Sequence, residues 1–464
     1  MPEPSADPLA LPPAILEWIE DATGSTVERV DRRPGGARKE AWFVDVKGPD
    51  GPRELFLRYD RSDPEQTRDP WTLRRESIVY LALQGTDVLV PTVVAVHPTE
   101  QAMLTERVAG DSWFSWIRDP DEQLSVARDF VTRLAALHRL DPRTLDLPGF
   151  PTGCTIRAAV LHELDEWERV IEARGGQLDP GLRISMDWLR AHAPDDDRPA
   201  VLVQGDTGPG NFMYRDGKVV AVVDWELAHL SDPMDDIAWL SLRAVQEPFT
   251  HFPDRLAEYA ELSGNPIDEE RVHYFRVMAE TKLLVMSHAP GGRRLVRTGG
   301  WGGDLGNGLI YGVLHQRLWL EALAQVMGLE EQQAEQPPPH ETTDADRLFD
   351  DVLGQLRDVI VPRVDDPLAK QRAKGVARIL KYLAAMQRDG AFFTERELDD
   401  LEDVLGERPA DVEEGRAAMA AAVEAGRVTD EEYLRYVWRR VARENELLRP
   451  ASGVMADRHW PPLH

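Results

Sequence analysis

Three oxygen-bearing side chains lie close together in the chain and could serve one reaction. Asp206 follows the apolar run Val201–Val203, and Asn211 comes after a short turn that contains two glycines and a proline. Asp224 ends a second apolar run at residues 219–223. Carboxylate and amide oxygens are the ligands that hard divalent cations prefer, and such cations carry phosphate groups in many enzymes. The spacing therefore favours phosphate chemistry that a divalent cation assists.

A predicted hairpin brings two of these groups together. Residues 211–214 and 219–223 read as strands on either side of an Arg-Asp-Gly-Lys turn at residues 215–218. Asp-Gly between two strands is a strong signal for a tight hairpin. The pairing would place Asn211 and Asp224 side by side, where they offer a neutral and a charged oxygen to one metal ion.

Composition limits the class of protein. The chain has 464 residues, enough for two or three domains, and 54 basic and 82 acidic residues give a formal charge of −28. This charge argues against nucleic acid as a partner, because phosphates would be repelled. The single cysteine, Cys154, excludes an intramolecular disulfide framework and a CxxC metal cluster.

The chain shows no signal for a membrane. The first residues lack the basic start and the apolar stretch of a signal peptide, and no apolar run is long enough to span a bilayer. We therefore predict a cytoplasmic protein that has no membrane partner, in a compartment where ATP and coenzyme A are plentiful.

The first part of the chain reads as a small antiparallel sheet. After a helix at residues 11–23, strands are predicted at residues 27–30, 41–46, 54–59, 88–96 and 102–108. Gly35 and Gly36 lie in the first connection among basic residues. Their backbone amides could approach a phosphate, although most glycine pairs between strands are simple hairpin turns.

An ion pair between the sheet and the next helix is a second expectation. Strand alternation places Arg58 opposite Leu55 and Leu57, so it faces either solvent or a cleft. Glu76 lies in a predicted helix at residues 71–83 and could orient the arginine. The alternative is a solvated glutamate that contributes little.

Helices dominate the rest of the chain. The change from strands to helices near residues 106–110 marks a lobe boundary. Helices are predicted at residues 121–140, 155–173, 182–192, 237–245, 252–262, 269–287 and 309–327. For His138 a role in the core or at the surface outweighs metal binding, since it has no second ligand at suitable spacing. The glycine-rich, basic segment 291–308 either receives an anionic substrate, or closes as a lid, or is a loop without a binding role.

The last part of the chain reads as a separate helical bundle. A polar, proline-rich linker at residues 330–345 precedes it. Thr394 with Glu397 and Thr429 with Glu432 have capping-box spacing, and Gly426 can end a helix. Two apolar stripes at helical spacing are interpreted as core contacts. Their residues are Leu348, Val352, Leu356 and Val359, and then Val376, Ile379, Leu380 and Leu383. We predict a docking or regulatory domain.

The motifs of the central segment resemble a known family. Gly205-Asp206 with Asn211, the run Val-Val-Asp224-Trp-Glu, and Ser-Asp-Pro-Met-Asp-Asp236 are similar to the aminoglycoside phosphotransferase and choline kinase group of protein-kinase-like enzymes. More narrowly, they resemble kinase domains attached to acyl-CoA dehydrogenases and bacterial hydroxyacyl-CoA kinases. The resemblance covers about the first 330 residues of this sequence.

The resemblance implies an α+β fold of bilobal, protein-kinase-like form, followed by an all-α C-terminal domain. The expected divisions are a nucleotide-binding β lobe at residues 1–108, a helical catalytic lobe at 109–329, the linker at 330–345 and the bundle at 346–464.

The resemblance also implies roles in the central segment. Asp206 would be the catalytic base, Asn211 and Asp224 would bind Mg²⁺, and Asp236 would be a buried acid that supports the catalytic loop. Gln204 departs from the family pattern, which normally has histidine there. A glutamine amide can also donate and accept hydrogen bonds, so activity is expected to survive.

Further implied roles concern the nucleotide. Gly35 and Gly36 would cover the ATP phosphates, and Arg58 would take the place usually held by a strand lysine, with Glu76 as its partner. Glu106 to Val108 would form the hinge whose backbone reads adenine. Arginine can bind phosphate through two N–H groups, so nucleotide binding is compatible with the substitution.

The sequence thus predicts a kinase that uses ATP and Mg²⁺ to phosphorylate a hydroxyl group of a small molecule, with a hydroxyacyl-CoA or a hydroxy acid as the leading acceptor. An aminoglycoside or amino alcohol kinase is one alternative. A nucleotide-binding scaffold, or pseudokinase, is the other. In each case the C-terminal domain is the predicted contact for a protein partner or for a second copy of the chain.

Overall fold

The N-terminal lobe is a five-stranded antiparallel sheet covered by two helices. The computed structural model describes residues 10–33, 39–62, 70–173, 178–287 and 305–464. The strands follow the order β1-β2-β3-β5-β4 across the sheet. Their bounds are β1 Thr26–Arg33, β2 Glu40–Gly48, β3 Gly51–Asp60, β4 Val93–Val96 and β5 Gln101–Glu106; the helices are α1 Pro13–Thr23 and α2 Leu73–Leu83.

The predicted alternation of β3 is confirmed. Leu55, Leu57 and Tyr59 are buried in the core of this lobe, and Arg58 faces the opposite side of the sheet. The strand predicted at residues 88–96 is shorter than expected. Leu89 has φ +63°, which is outside the β region, and Pro91 has no N–H to donate to a neighbouring strand. Pairing therefore begins at Val93.

The second lobe is mostly helical and holds two small two-stranded antiparallel sheets. Its helices are α3 Pro120–Arg139, α4 Ile156–Ala173, α5 Pro180–Ala191, α6 Pro233–Gln246, α7 Phe252–Ser263, α8 Glu269–Ser287 and α9 Leu305–Met327. Its strands are β6 Val201–Val203, β7 Phe212–Arg215, β8 Lys218–Val222 and β9 His229–Ser231, and β6 pairs with β9 while β7 pairs with β8. The observed lobes match the predicted α+β class.

The predicted β7–β8 hairpin forms through its Asp-Gly turn. Asp216 and Gly217 have φ values of +52° and +72°, as a two-residue hairpin turn requires. Helix α3 holds this hairpin, because the Asp129 carboxylate accepts a hydrogen bond from the Val219 N–H at 2.9 Å. Within the described residues, none of the helices is long and apolar enough to cross a membrane.

The C-terminal helices pack on one another and on the second lobe. They are α10 Asp344–Gln355, α11 Pro367–Leu405, α12 Val412–Glu424 and α13 Asp430–Ser452. Helix α13 contacts α11, α9 and α5. The Thr429–Glu432 capping box is confirmed at the start of α13, and Gly426 follows the end of α12 with φ +66°.

The second predicted capping box, between Thr394 and Glu397, is wrong. Both residues lie inside α11, a continuous helix of 39 residues. Glu397 is buried there and instead binds the guanidinium group of Arg416 and the hydroxyl of Tyr436. Tertiary contacts on α12 and α13 thus continue the helix through a sequence that resembles a start signal.

The two apolar stripes are not core contacts. Leu348, Val352 and Val359 are 68%, 43% and 49% exposed, and Val376 and Leu383 are 48% and 47% exposed. Leu356, Ile379 and Leu380 are partly buried, and Leu356 and Val359 lie beyond the end of α10. The buried side of α11 is a different face, which includes Ala385 and Phe393. Periodicity fixes which residues share a face, and tertiary packing decides whether that face is buried.

Candidate active site

Asp236 holds the backbone of the loop that follows β6. Its two carboxylate oxygens accept hydrogen bonds from the N–H groups of Gln204 and Gly205, each at 2.9 Å. His138 contacts the same carboxylate through Nε2 at 3.0 Å and the hydroxyl of Tyr259 through Nδ1 at 2.6 Å. All three side chains in this cluster are buried. Asp236 therefore lies where the resemblance implied, and His138 has the predicted core position.

Gln204 connects this loop to the end of β8. Its side-chain nitrogen donates to the carbonyl oxygen of Val223 at 2.7 Å, and its side-chain oxygen accepts from the Thr207 hydroxyl at 3.1 Å. The amide thus donates and accepts at once. The departure from the usual histidine is accommodated by a complete pair of hydrogen bonds.

Asp206 is held by an arginine that the sequence did not reveal. Arg243, on α6, donates from Nε to Asp206 Oδ1 at 2.7 Å and from Nη2 to Oδ2. The Asn211 amide nitrogen also donates to Oδ2, at 2.8 Å, and to the Asp206 carbonyl oxygen, at 2.7 Å. Burial raises the pKa of Asp206 although Arg243 opposes this change. The carboxylate is therefore fixed in one orientation.

Gly208 allows this close approach. A Cβ atom at this position would lie 2.5 Å from the Cβ atom of Arg243, and the glycine has φ +141°. Both the contact and the conformation exclude a larger residue. The glycine in the loop was visible in the sequence, but its partner on α6 was not.

Glu76 binds two cations, and this confirms the expected ion pair. Arg58 Nη1 lies 2.5 Å from Glu76 Oε1, and Lys39 Nζ lies 3.0 Å from Glu76 Oε2. Glu76 has no exposed surface, so the alternative of a solvated glutamate is wrong. Arg58 alone was predicted to occupy the position usually held by a lysine. The structure shows that Lys39, at the edge of β2, contacts the same carboxylate.

These cations also contact the end of β8. Arg58 Nη1 lies 3.0 Å from Asp224 Oδ1, and Lys39 Nζ lies 2.7 Å from Glu226 Oε2. Burial alone would lower the pKa of Arg58 and raise that of Asp224. The opposite charges win, so the pKa of Arg58 is well above and that of Asp224 below the usual value. Lys39 and Glu226 are therefore site residues to which the sequence motifs assigned no role.

Asn211 and Asp224 lie on adjacent strand ends and suit a hard cation. The Val223 N–H donates to the Asn211 carbonyl oxygen at 2.9 Å, which joins the two strands next to Asp224. Asp224 has φ +64°, a left-handed conformation that aspartate tolerates, and its N–H donates to the Tyr80 hydroxyl at 3.1 Å.

The donor set fits Mg²⁺. The Asn211 side chain uses its nitrogen for Asp206, which leaves its carbonyl oxygen as a ligand, and Asp224 Oδ2 makes no hydrogen bond within the described residues. Among those residues no group of three or more histidine, cysteine, aspartate or glutamate side chains could hold a metal ion. Mg²⁺ commonly takes one or two protein ligands and completes its shell with phosphate oxygens and water. This site therefore matches a metal that arrives with a phosphate substrate.

The connection between the lobes leaves backbone groups free to bind a ligand within the described residues. The N–H groups of Glu106 and Arg107 donate to Thr92 and Glu54, at 2.9 and 3.0 Å. Within the described residues Val108 makes no backbone hydrogen bond. Its role in reading adenine stays a prediction. Gly35 and Gly36, and most of the segment 291–308, lie outside the described residues.

Comparison with known proteins decides the family. Residues 29–275 match the model of the phosphotransferase enzyme family, abbreviated APH. This match covers more than half of the 464 residues. The chain belongs to the phosphotransferase enzyme family. The family named from the central motifs is thereby confirmed.

Several curated relatives carry acyl-CoA dehydrogenase names. Acyl-CoA dehydrogenase family member 11 of Rattus norvegicus is 29% identical over 158 residues, which are 34% of this chain and 20% of the relative. The Homo sapiens protein of the same name is 28% identical over 163 residues, with the same shares. Family member 10 of Mus musculus is 29% identical over 208 residues, 41% of this chain and 18% of the relative. The chain spans about a fifth of the length of these relatives.

Solved structures of phosphotransferases are similar to this chain. Macrolide 2'-phosphotransferase MphH from Brachybacterium faecium is 19% identical with a TM-score of 0.43, and the match covers 69% of this chain and 99% of that one. A thermostable mutant of aminoglycoside phosphotransferase APH(4)-Ia, in complex with ADP and hygromycin B, is 17% identical with a TM-score of 0.44. That match covers 59% of this chain and 91% of the other.

Proposed function

We propose that this phosphotransferase moves the γ-phosphoryl group of ATP to a hydroxyl group of a small molecule, with Mg²⁺ as cofactor. The hydroxyl oxygen forms a bond to the γ-phosphorus, the bond from that phosphorus to the bridging oxygen of ADP breaks, and ADP leaves with the electron pair. The hydroxyl proton passes to Asp206. The observation that carries the proposal is the fixed Asp206 carboxylate beside the oxygen ligands of Asn211 and Asp224.

Each side chain of the site has a part in this reaction. Asp206 orients the acceptor hydroxyl and accepts its proton. Asn211 and Asp224 hold Mg²⁺, which neutralises charge on the phosphate oxygens when it is bound.

The cations of the sheet orient the nucleotide. Arg58 and Lys39 are held by Glu76, and a guanidinium or ammonium group fixed in this way can bind phosphate without paying to order its side chain. The backbone of Val108 has a donor and an acceptor available for adenine.

A hydroxyacyl-CoA or a hydroxy acid is the leading acceptor. This proposal is supported by the similarity to proteins named acyl-CoA dehydrogenase family members. The rival is a scaffold that binds nucleotide without catalysis. The complete set of Asp206, Asn211 and Asp224 favours the enzyme.

The test is phosphoryl transfer from radiolabelled ATP to a panel of hydroxy acids, hydroxyacyl-CoAs, amino alcohols and aminoglycosides. We expect Asp206→Asn to lose at least about a hundredfold in kcat while it still binds ATP, since a positioned base contributes about 10²–10⁴-fold. Asp216→Asn is the matched control, because Asp216 is 93% exposed in the β7–β8 turn. Equal and negligible transfer by the wild type and Asp206→Asn, with ATP binding intact, would establish the scaffold.

A further inference from the structure

Arg243 has hydrogen-bonding capacity that Asp206 does not use. A guanidinium group carries five N–H donors in a planar fork. Nε and Nη2 donate to the two oxygens of Asp206, and Nη1 donates to Gln246 Oε1 at 3.2 Å. Three of the five donors thus have partners among the described residues. One N–H on each Nη atom remains, and together they form a second edge that can bind oxygen.

Asp206 also keeps one hydrogen-bonding position. Its Oδ2 accepts from both Arg243 and Asn211, whereas its Oδ1 accepts from Arg243 alone. A carboxylate oxygen has two lone-pair sites, so Oδ1 can accept one further hydrogen bond. A substrate hydroxyl group bound to Oδ1 would therefore lie beside the guanidinium group of Arg243.

The surroundings of this edge come from three helices. Gln246 on α6 contacts His315 on α9 through their Nε2 atoms at 3.4 Å, and His315 Nδ1 lies 3.0 Å from a carboxylate oxygen of Glu280 on α8. Glu280 is fully buried and is occupied by His315. Among the described residues, the charged group that still offers donors next to Asp206 is therefore the 22% exposed Arg243.

We propose that Arg243 determines acceptor specificity: its Nε edge fixes Asp206, and its Nη edge binds a carbonyl or carboxylate oxygen close to the hydroxyl that is phosphorylated. This inference rests on the proposed function. An ammonium group at the same position would meet the positive charge of Arg243, and the guanidinium group, which only donates, cannot accept a hydrogen bond from it. The site therefore selects hydroxy acids and their acyl derivatives over amino alcohols.

Matched acceptors test the assignment. The probes are 4-hydroxybutyrate, its methyl ester and 4-aminobutan-1-ol, and 3-hydroxybutyrate, its methyl ester and 4-aminobutan-2-ol. Two measurements are made for wild type, Arg243→Gln and Arg243→Lys: kcat/KM for each probe, and its binding by calorimetry with ADP and Mg²⁺ present. Arg133→Gln is the control, because Arg133 is also 22% exposed and pairs with an aspartate, Asp129.

We expect the wild type to prefer the acid or the ester over the amino alcohol by at least about tenfold, the effect of one charge-assisted hydrogen bond. The ratio of kcat/KM for the acid or ester to that for the amino alcohol should fall close to one in Arg243→Gln, mainly through KM. It should be intermediate in Arg243→Lys and unchanged in Arg133→Gln. The ratio of acid to ester shows whether a carboxylate or a carbonyl oxygen is the natural ligand.

Other outcomes overturn the inference. One is a wild type that does not prefer the acid or the ester over the amino alcohol. Another is a preference that persists in Arg243→Gln while kcat falls equally for every probe, because Arg243 would then act on Asp206 alone. If no probe is phosphorylated, the proposed function fails. The binding measured by calorimetry then tests the Arg243 subsite independently. Acid or ester binding that weakens about tenfold in Arg243→Gln supports the subsite, and binding that does not change refutes it.

Discussion

The two sides of Asp206 are built in opposite ways. On the nucleotide side one carboxylate, Glu76, holds two cations, Lys39 and Arg58, and it has no exposed surface. On the acceptor side one cation, Arg243, holds one carboxylate and retains unused donors. A buried carboxylate that holds two cations fixes where their remaining donors can meet phosphate, whereas a partly exposed cation that holds a carboxylate can itself recognise a second ligand. The first side thus serves placement, and the second serves selection.

The largest expected effect comes from breaking the ion pairs of Glu76. Glu76→Gln leaves Lys39 with Glu226 and Arg58 with Asp224 as their remaining counterions, so unfolding free energy should fall by up to about 3–5 kcal/mol. The KM for ATP should rise, while the preference among acceptors should stay. Chemical denaturation and steady-state kinetics measure both effects.

The control for this substitution is Glu40→Gln, on the same sheet. Glu40 binds Arg61 and Arg32 and its side chain is 13% exposed. We expect Glu40→Gln to lower the unfolding free energy much less than Glu76→Gln does, because the partners of Glu40 are closer to solvent. An altered acceptor preference in Glu76→Gln would show that the two sides are not independent.

Gln204 lies beneath both sides and should affect both. Gln204→Leu removes the partners of the Val223 carbonyl and the Thr207 hydroxyl, which costs about 1–3 kcal/mol for a buried group left without a hydrogen bond. We expect kcat to fall with every acceptor and the KM for ATP to rise. Gln204→His, the residue usual in the family, should restore most of the activity; a histidine variant as impaired as the leucine variant would contradict this account.

The C-terminal tail should influence only the acceptor side. Arg458 donates to the carbonyl oxygens of Val245 and Gln246 at 3.1 and 2.7 Å, at the end of the helix that carries Arg243. A cation at a helix C-terminus contributes about 0.3–1 kcal/mol. Arg458→Gln should therefore raise the acceptor KM a few-fold, as measured by initial rates, and leave the KM for ATP unchanged.

Arg449→Gln is the control for the tail. Arg449 is on α13, is 40% exposed and binds Glu446 and Asp457. Within the described part of the chain, its hydrogen-bond partners all lie outside α6. An equal rise in both KM values for Arg458→Gln would mean that the tail supports the whole lobe.

The smallest expected effect is a pH dependence of the tail. The hydrogen bond to Glu321 raises the pKa of His459 above its ordinary value of about 6.5. A raised pKa in the folded protein stabilises the fold fully below that ordinary value, and this contribution disappears as pH rises through the raised pKa. His459→Gln should lower the Tm slightly at pH 6 and have no effect at pH 9. His340→Gln, in the exposed linker, should show no such difference, and a uniform loss across pH for His459→Gln would point to lost packing instead.

The part of the site that sequence predicted best is local. The hairpin with Asn211 and Asp224 follows from an Asp-Gly turn between two apolar strands, and the loop with Asp206 follows directly from β6. Short-range turn chemistry decides these positions, so few residues are needed to predict them. Arg58 and Glu76 were paired correctly because strand and helix periodicity limits where each can point.

The sequence by itself determined the family, the two-lobe order of strands and helices, and the identity of the acidic residues in the central segment. Only the tertiary structure decided which cations hold them: Lys39 on Glu76, and Arg243 on Asp206 from a position 37 residues away. It also decided that most side chains of the apolar stripes at residues 348–359 and 376–383 stay exposed. The physical reason is the same in each case. Periodicity and turn chemistry act over a few residues, whereas an ion pair or a buried face exists only when packing brings a second, distant element against the first.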